Sequence, residues 1–108
     1  MSTKAYVVLT TVGSEDDART LAHLLVESER AACVTVVGGT RSTYRWEGKV
    51  VEQGECLLVI KAPRRAVPAL REAILDHHPY ELPELLVLEA DGVTDEYAAW
   101  LEASTLEP

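Results

Sequence analysis

Residues 31–61, AACVTVVGGTRSTYRWEGKVVEQGECLLVIK, decide the fold. Two long runs rich in β-branched and aromatic residues flank Glu47-Gly48, a pair suited to a tight hairpin turn. With a two-residue turn, Arg41 faces Gly54, Gly39 faces Cys56 and Cys33 faces Ala62. Gly38, Gly39 and Gly54 then gather halfway along the ladder, where a bulge or bend costs least. Strands of about 14 residues span about 46 Å, while a globule of this length has a radius of gyration of about 13 Å. The hairpin is expected both to bend and to protrude. Its tip carries Tyr44, Arg45 and Trp46, large side chains of the kind that anchor interfaces. The same register separates Cys33 from Cys56 by roughly 20 Å, too far for a disulfide, which needs Cα atoms within about 7 Å.

The flanking segments complete the pattern. Ala5 to Val12 (AYVVLTTV) reads as a strand ended by Gly13. Ser14 with Asp17 matches a capping box, and Ala18, Leu21, Ala22 and Leu25 recur at helical spacing, to about Arg30. A strand begins near Ala31 and resumes beyond Gly38-Gly39 as Thr40 to Trp46; Lys49 to Lys61 returns. Val67, Leu70 and Ile74 mark a second helix that Pro79 ends. Leu85 to Glu89 is a short strand, and Thr94-Asp95-Glu96 caps a last helix with Tyr97, Trp100 and Leu101 on one face, expected in the core. The order βαββαβ plus a C-terminal helix predicts an α+β, ferredoxin-like sandwich in a single domain, 1–108. Helices cover one sheet face; the other is left bare. A bare face and a protruding hairpin both call for partner subunits, hence a homo-oligomer of cyclic symmetry.

Composition narrows the function. The chain has 108 residues, 18 acidic and 10 basic, for a net charge of −8. That balance argues against nucleic acid, whose binders present a basic face. No apolar run approaches a membrane span, and Met-Ser-Thr-Lys-Ala leads directly into a strand without a signal peptide's apolar stretch, so the expected address is cytoplasmic. There is no phosphate-cradling glycine loop, no GxSxG, no HExxH and no CxxC, so nothing announces an enzyme.

The segment His77-His78-Pro79-Tyr80-Glu81-Leu82-Pro83-Glu84 holds the richest chemistry. Imidazoles and carboxylates together suit a transition metal. Adjacent helical histidines point about 100° apart, however, so a second reading has them opposing a helix dipole beside a proline-shaped turn. Cys33 reads as a buried thiol, and Glu47, Glu52 and Glu55 read as solvent-facing charges that discourage edge pairing. Lys61, at the end of its strand, could hold an anion near the 77–84 loop.

Four ordered motifs carry a wider likeness: Ala31-Ala32-Cys33-Val34, Tyr44-Arg45-Trp46-Glu47-Gly48-Lys49-Val50, His78-Pro79-Tyr80-Glu81-Leu82-Pro83-Glu84 and Tyr97-Ala98-Ala99-Trp100-Leu101. With them the chain resembles the divalent-cation tolerance family, CutA, over nearly its whole length. The resemblance implies a non-enzymatic role in tolerance of copper and other divalent cations. It also implies a homotrimer whose hairpins reach across to neighbours, similar to the PII signalling trimers with small effectors in their subunit clefts. The copper site proposed for the family uses the paired histidines, here His77 and His78, with a cysteine near the end of the first strand. Thr10 stands at that position, so the soft thiolate is missing and the expected ion becomes Cu(II) or Zn(II), with Glu81 assisting. Lys61, Tyr80 and Glu84 are expected to line a cleft for a small anionic effector. Tyr44, Arg45 and Trp46 are expected at the subunit interface. Two rivals remain: a trimeric scaffold or signalling protein with no metal role, and a small ferredoxin-like enzyme.

Overall fold

In a computed structural model of the chain, which describes residues 5–106, Trp46 and Lys49 pair across Glu47 and Gly48. Both turn residues have positive φ, 50° and 79°, as in the type I′ turn whose twist matches the strands it joins. The turn links β2 (Cys33–Trp46) to β3 (Lys49–Ala62). From the tip to Thr40 opposite Glu55 the register is the expected one, with Arg41 facing Gly54. Between Val37 and Thr40 it slips by one: Gly38 and Gly39 stand against the single Cys56. Gly39 takes a φ of 70° there, a left-handed value that glycine adopts without a Cβ clash. The bulge corrects the register beyond it, so that Cys33 faces Lys61 rather than Ala62. It also lets β2 run unbroken past the two glycines. The hairpin protrudes as expected, and the molecule measures 44 × 26 × 22 Å. Both cysteines are free.

The sheet adds β1 (Tyr6–Val12) and the short β4 (Leu86–Glu89) in the order β2-β3-β1-β4, with every pairing antiparallel. This is the ferredoxin-like arrangement, closed by α1 (Glu15–Glu27), α2 (Val67–His77) and α3 (Asp95–Ala103). Alternation along β1 and β3 sends Val8, Val12, Leu58 and Ile60 into one core with Leu21 and Leu25 of α1 and Leu70 and Ile74 of α2. Ser14 caps α1 as expected, its side chain accepting from the Asp17 N–H. The helix stops three residues short of Arg30. Glu29 turns left-handed (φ 57°), and the N–H groups of Glu29 and Arg30 return to the carbonyls of Val26 and Leu25, the paired closure of a Schellman motif. Arg65 fastens the other end of the chain, donating to Glu102 Oε1 at 2.6 Å and to the Thr105 carbonyl at 3.2 Å.

The last helix corrects one expectation. Leu101 is buried against Ala5 and Ala32 and Ala98 is buried as well, but Tyr97 and Trp100 are 38% and 45% exposed. At about 100° per residue Leu101 lies between the two stripes, and the helix turns its small-residue side inward. The opposite sheet face is less deeply covered. Val7, Leu9, Leu57 and Val59 are half-buried there, and Leu86 and Leu88, paired with Leu9 and Val7, remain half-exposed.

Leu58 is fully buried at the centre of this core. Leu58→Ala is expected to lower the free energy of unfolding by about 2–5 kcal/mol, through lost transfer energy and the cavity left behind, as read by a shift of the denaturant midpoint at unchanged slope.

Candidate functional site: a groove beneath the hairpin

β1 pairs with β3 only as far as Val12 opposite Cys56. Toward the tip, β3 therefore has a free edge, and the segment after α2 fills the ledge. Pro79 ends the helix by holding His78 extended (φ −73°, ψ 133°), which swings its imidazole onto β1. Nδ1 of His78 accepts the Tyr80 backbone N–H at 3.1 Å, so the ring proton sits on Nε2. Nε2 donates to the Thr11 carbonyl at 2.9 Å and lies 3.1 Å from Thr10 Oγ1. Thr10, fully buried, donates its own hydroxyl to the Glu84 carbonyl at 2.7 Å. One threonine thus ties β1 to both ends of the 78–84 loop.

The loop places Tyr80 over Gly13, where any Cβ would come within 3.4 Å of the phenolic oxygen. The hydroxyl donates to Glu55 Oε2 at 2.7 Å. Gln53 Nε2 reaches the same phenolic oxygen at 3.5 Å, and the Tyr44 hydroxyl donates to Gln53 Oε1 at 2.6 Å. The polar run Tyr44–Gln53–Tyr80–Glu55 borders a groove of about 920 Å³. Tyr44, Arg45 and Trp46 form its hairpin wall, and Pro79 to Glu84 form the other.

Burial and the Glu55 carboxylate both push the Tyr80 phenol far above its ordinary value, so the hydroxyl stays protonated and donating. Burial lowers His78, outweighing the opposing pull of the Thr11 carbonyl and of the Glu55 and Asp17 charges.

Of the residues expected at a site, Tyr80, Glu81, Glu84, Tyr44, Arg45 and Trp46 all line this groove. His78 stands behind it as a brace with both ring nitrogens engaged. His77 lies exposed on the last turn of α2, its Nδ1 on the Ala73 carbonyl at 3.0 Å. Lys61 is not among the lining residues. It sits six residues along β3 from Glu55, with its ammonium on Thr35 Oγ1 at 2.5 Å. Among the described residues, no three His, Cys, Asp or Glu side chains converge as a metal ion requires. One chain therefore does not fit a chelated Cu(II) or Zn(II).

Glu55 is the correction here. Read as solvent-facing, it is 8% exposed, because the loop covers the strand edge that β1 leaves open. Gln53 was likewise overlooked. The available signal was numerical: β1 is seven residues long and β3 fourteen, so half of β3 needed another cover.

A split βαβ sheet with a long hairpin arm and a loop-walled groove makes this a ferredoxin-like α+β domain. Residues 6–104 match the family described as CutA1 divalent ion tolerance protein, and the chain belongs to that family. It is 48% identical over 99 residues to the divalent-cation tolerance protein CutA of Thermus thermophilus, covering 92% of this chain and 96% of that one. It is 39% identical to a chloroplastic CutA of Arabidopsis thaliana, spanning 92% of this chain and 54% of that longer protein. The solved Thermus thermophilus structure superposes with a TM-score of 0.89 at 46% identity, covering 94% of this chain and 98% of its own. CutA1 from Oryza sativa gives 0.92 at 38%, covering 96% and 95%. Among the described residues, no helix is long and apolar enough to cross a membrane.

The lowered His78 makes the loop pH-sensitive. The unfolded chain takes up this proton near the ordinary histidine value of about 6.5, while the folded chain resists until lower pH. The His78 contribution to stability is therefore complete above about pH 6.5 and is lost as pH falls toward the depressed folded value. NMR titration is expected to show the His78 ring titrating below 6.5, with the unfolding midpoint falling over the same interval. In His78→Phe that part of the pH dependence should disappear.

Proposed function

We propose that the chain acts in divalent-cation tolerance, copper included, as a non-enzymatic cytoplasmic homotrimer that binds a small ligand in a groove at its subunit clefts. The groove itself carries this reading: residues from the hairpin tip, β3 and the 78–84 loop converge there, and a partly buried hydrogen-bond network holds them. Binding sites are commonly of this kind, concave and aromatic with few polar groups fixed in place. Divalent-cation tolerance comes from what the relatives are called.

Assembly is supported by the half-covered sheet face. Leu86, Leu88 and Val37 are 40–54% exposed beside half-buried Val7, Leu9, Leu57 and Val59. An apolar strip of that kind gains roughly 25 cal/mol for each Å² taken from water. Trp46 and Tyr44, 45% and 40% exposed on an arm that projects from the body, have the chemistry of interface anchors. A trimer closed on these surfaces would bring each groove beside a neighbouring subunit.

A resident metal is the weaker form of the reading. His78 would have to break two hydrogen bonds to ligate, and His77 faces away with its Nδ1 on its own helix. Cu(II) or Zn(II) would be left with His77, Glu81 and water.

Two measurements test the proposal. Sedimentation at micromolar concentration is expected to show three times the monomer mass, and Trp46→Ala is expected to weaken assembly by about 2 kcal/mol or more. A monomer would sink the cleft reading. Calorimetry of the metal-free protein is expected to show no tight, one-per-subunit binding of Cu(II) or Zn(II). Stoichiometric micromolar binding that His77→Ala/His78→Ala abolishes would return the function to direct chelation.

A further inference from the structure

The groove is lined by one basic side chain, Arg45, and by three carboxylates, Glu55, Glu81 and Glu84. Its charge therefore opposes an anion. The acidic group that matters is Glu55, because Glu81 and Glu84 are exposed to water. Glu55 is 8% exposed, yet among the described residues no basic side chain pairs with it. The hairpin's Arg41 goes to Glu52 instead, at 3.7 Å. Oε2 of Glu55 accepts from Tyr80, and among the described residues no donor reaches Oε1. Among the described residues, no sealed side-chain oxygen is without a partner, so Oε1 is open to the groove that Glu55 lines.

We propose that the groove receives a small organic cation, an alkylammonium or alkylguanidinium group, with Glu55 as its counter-ion and Tyr44, Trp46 and Tyr80 flanking its stem. This rests on the groove being a ligand site, as argued above, and names the class of ligand. The donors around Glu55 all point one way. Tyr44 donates to Gln53, Gln53 to Tyr80 and Tyr80 to Glu55. These neutral groups orient the carboxylate and leave one oxygen open for an incoming donor. A partly desolvated carboxylate is costly when unpaired, and a cation entering the groove relieves that cost. The three aromatic rings add quadrupole attraction for an ammonium or guanidinium and apolar cover for its methylenes.

Two alternative occupants fit less well. A bare divalent metal needs several converging ligands, and no such set is present among the described residues. A neutral apolar ligand would cover Glu55 while leaving it unpaired.

The test uses the full chain with Trp100→Phe, which leaves Trp46 as the single tryptophan. Agmatine, butylammonium, butyrate and butanol are titrated against Trp46 fluorescence. Saturable responses to the two cations are expected, at least about tenfold tighter than to butyrate or butanol, and weakening as salt rises. Glu55→Gln is expected to weaken cation binding by about tenfold or more, the usual consequence of removing one partner of a desolvated charge pair. Should that variant fail to fold, the order of the four probes and its salt dependence decide the matter on the unmutated groove. Butyrate or butanol binding as well as the cations, or folded Glu55→Gln binding unchanged, overturns the cation and leaves the groove standing as a site. No saturable response to any of the four overturns both.

Discussion

The organising constraint is a mismatch of strand lengths. β3 has β2 on one side for its whole length, but β1 accompanies it on the other only as far as Cys56. Beyond that point one edge of β3 offers unpaired backbone groups and a half-covered face. A free edge must be covered, charged or kept short. Here it is covered by a loop from a different part of the chain, and almost everything that distinguishes this molecule from a plain ferredoxin-like domain follows. Pro79 releases His78 from the helix, His78 and Thr10 dock the loop onto the end of β1, and Tyr80 arrives where a longer first strand would have lain.

Thr10 shows how a substitution at one position changes what the neighbourhood can do. A thiol there would be a soft ligand beside an imidazole. The hydroxyl both donates to the Glu84 carbonyl and lies within hydrogen-bond distance of the protonated nitrogen of His78. The second interaction needs the imidazole in the tautomer that Tyr80 N–H also selects. His78, which in the sequence looks like a metal ligand, thereby supports the groove wall. His77, one residue earlier and still helical, takes no part in the docking.

Much of the fold was legible because its signals are local. Two strands around Glu47-Gly48, the glycine-marked bulge and the Ser14 cap each follow from residues within a few positions of one another. The early end of α1 was not legible, since Glu29 rather than glycine closes it in the left-handed region. Tyr97 and Trp100 misled for another reason: helical periodicity tells which residues share a face, whereas Ala5 and Ala32 decide how far that face is rolled toward the sheet. Half of the groove was named from the loop motif. Glu55 was missed because a carboxylate in an alternating strand reads as solvent-facing until the strand that should flank it is seen to stop.

That a carboxylate is tolerated there has a physical reason within the groove. Burying an ion alone would cost several kcal/mol. Glu55 escapes the full penalty in two ways: the Tyr80 hydroxyl solvates one oxygen, and the other stays open to the groove. The arrangement is stable enough to fold, yet a hydrophobic residue in the same place would pack against Tyr80 without any of that cost. The network from Tyr44 through Gln53 and Tyr80 would then have no acceptor at its end. A chain of donors that terminates on one half-satisfied carboxylate, at the lip of an aromatic groove, fixes the groove wall at a cost that an apolar side chain would avoid.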